Sequence, residues 1–161
     1  MLCAFTGHRP EKLPWGEDES DLRCVALKVR ISQTIRFLVN QGFRDFACGM
    51  ARGCDFYFAE AVFAAQLWQA DVRLYAFLPC SEQANCWNAA DRKRYEIILK
   101  KCSKIYMVEQ HYSEGCMLRR NRAMLNCADR FISVYDGSGG GTGAAVRYAE
   151  RIGIPITPLW L

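Results

Sequence analysis

The sequence lacks several features that would assign its class directly. It has no apolar run near the ~20 residues that cross a bilayer, no signal-peptide pattern at its N-terminus and no run of basic residues. Its two histidines lie far apart, and its nine cysteines include no CxxC pair. These absences predict a reduced, cytoplasmic protein without a membrane partner or a metal site.

The charge that is present is weak and dispersed. The 161 residues include 21 Lys and Arg and 17 Asp and Glu, which gives a formal net charge of +4. This balance favours a local site for an anionic ligand over a long basic surface, so nucleic acid is predicted not to be a partner. The length and the hydrophobic share of 51% predict a single domain over residues 1–161.

Segments of strand and helix type alternate along the whole chain. The predicted strands are residues 2–6, 43–47, 72–78, 104–108, 130–135 and 155–159, and the predicted helices are residues 21–41, 56–68, 91–102, 116–128 and 142–152. Several strands are continuous hydrophobic runs, which is typical of parallel strands covered on both faces. The order predicts an α/β, Rossmann-like, doubly wound and mainly parallel sheet with helices on both faces. Ligands of such sheets bind beyond the carboxyl ends of the strands, where the loops FTGHRP, CGMARGCD, LPCSEQANCW and YDGSGGGTG lie.

The stretch DGSGGGTG, residues 136–143, places five glycines directly before a predicted helix. Glycine lets the backbone approach a ligand closely, and the free N–H groups of a helix N-terminus favour phosphate. We therefore predict a phosphate cradle here, with a flexible connector as the alternative. The stretch is not a P-loop, because glycine and not lysine precedes Thr142.

Polar residues also follow the first strand and open the helix at 116–128. The run Thr6–Arg9 offers a hydroxyl, a tight turn, an imidazole and a guanidinium at a strand end. The segment LRRNRAM gathers three arginines at a helix N-terminus, where the helix dipole disfavours cations. We expect an anion nearby, and Arg120 and Asn121 are predicted to contact it.

Two other loops leave alternatives open. Asp55 either caps the following helix or contacts a ribose, and Arg52 is either a solvated side chain or a phosphate contact. Trp87 and Gln83 either bind a base, or Trp87 covers the sheet edge. The complete predicted ligand-binding set is Thr6, Gly7, His8, Arg9, Gly49, Arg52, Gly53, Asp55, Gln83, Trp87, Arg120, Asn121, Gly139, Gly140, Gly141 and Thr142.

Taken in order, FTGHRP, GMARGCDFYFAEAV, RRNRAM and DGSGGGTGAAVRYAE, with Gln83 and Trp87 between them, resemble the YpsA-like branch of the SLOG superfamily. The resemblance implies a Rossmann-like fold that binds nucleotides or ADP-ribose-like derivatives. Cytokinin-activating phosphoribohydrolases and the DNA-uptake protein DprA belong to the same superfamily. Related proteins commonly form homodimers, and the helix at 56–68 is apolar enough to predict either a dimer interface or deep burial.

The phosphoribohydrolase pattern P-G-G-x-G-T-x-x-E is only partly present. Gly141 and Thr142 match G-T, but Ala145 occupies the position of the glutamate that assists cleavage of the N-glycosidic bond. Arg120 resembles the catalytic arginine of those enzymes, and Glu60 is the remaining candidate for the acid. These two residues are the only catalytic candidates, and the catalytic residues stay unassigned.

The predicted function is therefore a sensor or regulator that binds a nucleotide or an ADP-ribose- or NAD-derived ligand, with no other cofactor implied. A nucleotide N-glycosidase is one alternative to this prediction. A non-catalytic adaptor for a protein partner is the other.

Overall fold

The computed structural model describes residues 1–161, and its six strands form one sheet. The strands are β1 Leu2–Gly7, β2 Asp45–Cys48, β3 Arg73–Leu78, β4 Lys104–Met107, β5 Arg130–Tyr135 and β6 Ile156–Trp160. Their spatial order is β4-β3-β2-β1-β5-β6, and every neighbouring pair is parallel. The predicted Rossmann-like α/β fold is confirmed.

Five α-helices connect the strands, and a single 3-10 turn, Pro10–Lys12, follows β1. The helices are α1 Leu22–Asn40, α2 Cys54–Ala65, α3 Ala89–Lys101, α4 Cys116–Asn126 and α5 Gly141–Ile152. Side-chain caps start two of them, because Asp21 accepts a hydrogen bond from the Arg23 N–H and Asn88 accepts one from the Asp91 N–H. None of the helices combines the length and the apolar character needed to cross a membrane.

Alternate side chains of the strands build a core on each face of the sheet. Cys3 and Phe5 of β1 belong to the larger core cluster, which includes residues of α1, α2 and α3. Ala4 points to the smaller cluster, which includes residues of α4 and α5. Since both faces are covered, the middle residues of β1 and β5 are buried, and their continuous apolar sequences follow from that burial.

Helix α2 is apolar all round because it is packed on several sides. It contacts β1, β2, β3, α1 and α3. Phe56, Tyr57, Phe58 and Val62 are all at most 3% exposed. These four side chains fill the chain's own core, so deep burial explains their composition. Leu67 and Trp68, at the end of the predicted helix, are 89% and 49% exposed, and the homodimer stays a prediction.

The strand order places a topological switch point between β1 and β5. From β1 the chain continues to β2, β3 and β4 on one side, and β5 then returns to the other side of β1. The loops that leave the carboxyl ends of β1 and β5 therefore diverge and open a crevice between them.

Candidate ligand-binding cleft

A cleft of about 500 Å³ lies at this switch point. It is lined by the loop after β1, by the start of α2 and by the N-terminal turns of α4 and α5. The lining residues are Thr6, Gly7, His8, Arg9, Glu11, Lys12, Ala51, Asp55, Met117, Leu118, Arg120, Asn121, Gly141 and Thr142. The structure thus brings together the predicted residues of the first loop, both predicted residues of α4 and the last two of the glycine stretch.

His8 connects the loop after β1 to the glycine stretch. Its side chain is 3% exposed, and Nε2 lies 2.8 Å from Oδ1 of Asp136. Hydrogen bonds from Ser138, and then from His8, hold the pKa of Asp136 below its ordinary value. The pair fixes one wall of the cleft, and Asp136 is a partner that the sequence analysis did not identify.

Lys12 lies across the glycine stretch and was also missed from the sequence. Its ammonium donates to the Gly139 carbonyl and lies 3.4 Å from Oγ of Ser138. Gly140 has a φ of +119°, and a Cβ at that position would lie 3.0 Å from Nζ of Lys12. Glycine is therefore favoured at position 140 by the positive φ, and the absence of a side chain also leaves room for this lysine.

The N-terminus of α5 leaves donors free beside Lys12. Its N-cap residue, Gly140, forms no side-chain capping bond, and the Ala144 N–H is the first in the helix to bond back, to the Gly140 carbonyl. The N–H groups of residues 141–143 have no hydrogen-bond partner within the protein. Gly141 and Thr142 line the cleft, so part of this donor group faces it.

Arg120 forms the floor of the cleft and is 4% exposed. Its Nη1 donates to the carbonyls of Gly49 and Phe77, the latter at 3.1 Å, and its Nε donates to Oδ1 of Asn121 at 2.7 Å. None of its hydrogen bonds involves Nη2. Because the guanidinium is buried, its pKa lies below the ordinary value.

Gly49 makes room for Arg120 and does not line the cleft. A Cβ at Gly49 would overlap Nη1 of Arg120. The predicted close approach is therefore real, but the approaching group is a guanidinium of the same chain and not a ligand. Gly53 is also outside the lining; it is the N-cap residue of α2 and has a φ of +81°, which favours glycine.

Asp55 lies beside Arg120, is 2% exposed, and does not cap α2. Its Oδ2 accepts a hydrogen bond from the Ala51 N–H at 3.0 Å, before the helix, so the capping interpretation is wrong. Its Oδ1 is buried without a hydrogen-bond partner. Burial raises the pKa of Asp55 to about 6, although the positive charge of Arg120 opposes the shift.

The structure places Arg52 outside the cleft. Its guanidinium forms ion pairs with Glu11, with Glu17 at 3.2 Å and with Asp91 at 3.3 Å. Three carboxylates already surround it, so it has no free charge for a phosphate. Its structural role is to join the loop after β2 to the loop after β1 and to α3.

Gln83 and Trp87 also lie outside the cleft lining. Nε2 of Gln83 donates to the carbonyls of Gly49 at 3.2 Å and Met50 at 2.7 Å, which holds Met50 in a left-handed conformation with φ 58°. The Trp87 ring packs edge-to-face on Phe56 and Tyr95. Trp87 therefore covers the core beside α2 and α3, and base stacking is not what positions it.

The two positions considered for a catalytic acid do not provide one in the cleft. Glu60 accepts two hydrogen bonds of 2.8 Å from Arg94, between α2 and α3. Ala145 is 3% exposed and packs in the smaller core cluster with Met124 and Leu125. The carboxylates that do line the cleft are Glu11 and Asp55.

Comparison with known proteins agrees with the fold and with these motifs. The family described as the YspA SLOG family matches residues 3–151. UPF0398 proteins of Bacillus thuringiensis (strain Al Hakam) and Bacillus cereus (strain AH187) are each 25% identical over 138 residues, which cover 84% of this chain and 74% of theirs.

Two solved structures share the fold. DNA processing protein A (DprA) from Helicobacter pylori, whose structure addresses a single-stranded DNA binding mode, aligns with a TM-score of 0.67 and 18% identity. DprA from Streptococcus pneumoniae aligns with a TM-score of 0.62 and 13% identity. Each alignment covers 98% of this chain, which spans 64% of the first protein and 49% of the second. The family match over nearly the whole sequence, on the fold that these neighbours share, shows that the chain belongs to the YspA SLOG family.

Proposed function

We propose that the cleft binds a nucleotide or an ADP-ribose- or NAD-derived ligand and that the chain acts as a sensor or regulator. The observation that carries the proposal is a group of cations without carboxylate partners and of unbonded N–H groups at the switch point. Arg9 and Lys12 line the cleft without a carboxylate within ion-pair distance, beside the unbonded N–H groups of residues 141–143. An anionic group such as a phosphate fits these donors.

The volume of the cleft supports a small ligand. Sites for cofactors and other small molecules are commonly clefts of about 300–1,000 Å³, and this one measures about 500 Å³. Single-stranded DNA is a second candidate, because the Helicobacter pylori DprA structure with the same fold concerns DNA binding. The comparison does not support the prediction that excludes nucleic acid, so an oligonucleotide belongs in the test.

The side chains support ligand binding without cleavage of the N-glycosidic bond. Ala145 brings no acid to α5, and Glu60 is bound to Arg94 away from the cleft. An N-glycosidase would need Asp55 or Glu11 as its acid, and neither was suggested by the family pattern. The regulatory interpretation needs only that ligand binding be recognised by a partner.

Thermal unfolding with a ligand panel tests the proposal. The panel comprises AMP, ADP-ribose, NAD, cyclic ADP-ribose, a cyclic dinucleotide and a single-stranded oligodeoxynucleotide. A ligand at 100 times its dissociation constant should stabilise the fold by about 2.7 kcal/mol. A shift with a nucleotide and no release of free base on chromatography is the expected result. A shift with the oligodeoxynucleotide alone would replace this proposal with DNA binding, and no shift at all would favour the protein adaptor.

A further inference from the structure

Although the net charge of the chain is small, its positive charge is concentrated on α3 and the start of β4. Residues 92–104 contain six Lys and Arg and one Glu, so this segment carries +5, whereas the whole chain carries +4. Arg94 is paired with Glu19 and Glu60. The other five cations are exposed and have no carboxylate within ion-pair distance; they are Arg92, Lys93, Lys100, Lys101 and Lys104. This face therefore attracts a partner with negative charge.

A groove between α2 and α3, the α2–α3 groove, lies on this face. It measures about 400 Å³ and is lined by Glu60, Phe63, Ala90, Lys93, Arg94, Ile97, Ile98 and Lys101. Ile97 is 47% exposed, so an aliphatic side chain of the groove faces water. Lys93, Ile97 and Lys101 follow one another at intervals of one helical turn on α3. The two lysines therefore flank the apolar strip, about 12 Å apart along the helix axis.

We propose that the α2–α3 groove binds an acidic amphipathic helix of a protein partner. The apolar side of such a helix packs on Phe63 and Ile97, and its carboxylates pair with Lys93 and Lys101. Carboxylates two helical turns apart, at i and i+7 or i+8, match the separation of about 12 Å between the lysines. The groove and the cleft at the switch point share no lining residue, so a partner bound here leaves the cleft open.

The aromatic rings and the shape of the groove favour a protein helix over other anionic partners. Single-stranded nucleic acid stacks its bases on free aromatic faces. The Lys101 ammonium lies over the Phe63 ring, 5.7 Å from its centroid. The Tyr106 ring of β4 is stacked on Phe77, and the Lys104 ammonium lies 4.6 Å from its centroid. A bilayer binds apolar side chains that project from a protein, whereas those of the groove line a concavity.

Two peptides of opposite charge test the proposal on the whole chain. Each forms a helix of about 16 residues with leucines at i, i+3, i+4 and i+7, flanked by glutamates in one peptide and by lysines in the other. Amide chemical shifts of the 15N-labelled chain locate the binding site. The acidic peptide should shift the amides of residues 60–63 and 90–101 and leave those of the cleft unchanged. Its affinity should fall as the salt concentration rises, and the basic peptide should bind the groove about tenfold more weakly or less.

A charge exchange assigns the effect to the two lysines. Lys93→Glu/Lys101→Glu replaces two attractive contacts with two repulsive ones, so the acidic peptide should bind about 10- to 100-fold more weakly, and the basic peptide should now be preferred. Arg122→Glu/Arg151→Glu is the matched control with the same change in net charge. These two arginines are exposed on α4 and α5, where both lie over the Tyr148 ring, so the control should bind the acidic peptide as the wild type does.

Several results would overturn the proposal. If the acidic peptide shifts no amide of the groove, the groove does not bind such a helix. Equal weakening by the control pair would reduce the effect to general charge attraction, and equal binding of a peptide with serines in place of its leucines would show that the apolar strip is unused. Shifts at the groove with a single-stranded oligodeoxynucleotide or with phosphatidylserine–phosphatidylcholine vesicles, and none with the acidic peptide, would reassign this face. None of these results depends on the cleft, so the proposed nucleotide site is tested separately.

Discussion

Arg94, which is half-buried, and Arg120, which is buried, have different hydrogen-bond partners and opposite pKa shifts. Arg94, between α2 and α3, donates to Glu19 and Glu60. Burial alone would lower its pKa, but the two carboxylates raise it above the ordinary value. Arg120 bonds only to uncharged groups, namely two backbone carbonyls and the Asn121 side chain, and its pKa is lowered by burial.

The difference separates an arginine with a structural role from the one that we propose contacts the ligand. The charge of Arg94 is neutralised by carboxylates, so a ligand anion gains little from it. The charge of Arg120 is balanced mainly by Asp55, which has an unsatisfied oxygen of its own. The absence of an ion pair within 4 Å of Arg120, together with its place in the cleft lining, and not the number of arginines, therefore distinguishes the proposed site.

The largest expected effect comes from closing the space that Arg120 occupies. Gly49→Ala places a methyl group on Nη1 of Arg120, so the side chain must leave its carbonyl partners. The free energy of unfolding should fall by about 3 kcal/mol, measured by urea denaturation. Gly139→Ala is the control, because a Cβ there meets nothing within 4 Å. Equal stability of the two variants would show that Arg120 is not held as described.

Asp55 should make stability depend on pH in a defined window. Burial raises its pKa from 3.8 to about 6, so between these values the folded chain holds more protons than the unfolded one. The contribution of Asp55 therefore falls by about 2–3 kcal/mol as pH rises from about 4 to about 6. Denaturation of wild type and Asp55→Asn across this range should show the decline in the wild type alone. Parallel pH profiles would contradict the assignment.

Removing the neutralised arginine should affect stability and spare binding. Arg94→Gln loses the ion pairs to Glu19 and Glu60, which leaves Glu60 without a partner while Glu19 keeps Lys28. A loss of about 1–2 kcal/mol in the free energy of unfolding is expected. Calorimetry of the folded variant should give an unchanged dissociation constant for AMP. If Arg94→Gln binds AMP tenfold more weakly than the wild type, the assignment of a purely structural role to Arg94 is wrong.

The smallest effect is expected at Lys12, where binding should change and stability should not. Lys12→Ala removes a cation above the glycine stretch, so AMP should bind about 5- to 10-fold more weakly, with a shallower dependence on salt. Lys93→Ala, on α3 and away from the cleft, is the control with the same change in net charge. If Lys12→Ala and Lys93→Ala bind AMP with equal affinity, Lys12 does not contribute to the site.

The order of elements was predictable because local patterns and burial agree. β1 and β5 are short apolar runs, each followed by a polar or glycine-rich loop, and the carboxyl ends of parallel strands meet at one edge. Sequence patterns alone therefore predict that Thr6–Arg9 and the glycine stretch lie at the same edge of the sheet.

Pairing across loops was not predictable. Lys12 reaches the glycine stretch only because the 3-10 turn that begins at Pro10 redirects the chain, and nothing in PEK specifies its partner. Gly49 has the sequence pattern of a ligand-approach glycine, yet the group it admits is Arg120. Arg52 and Arg120 look alike in sequence, and only their neighbours in space show which one retains a free charge.

The packing of Ala145 has a consequence for how activity could arise in this lineage. Its methyl group lies against Met124 and Leu125 on the side of α5 that faces the sheet core. A glutamate placed there would bury a carboxylate among apolar side chains, which is strongly unfavourable. Substitutions that open this part of the core would have to come first, so a gain of a glutamate at this position depends on the order in which mutations accumulate.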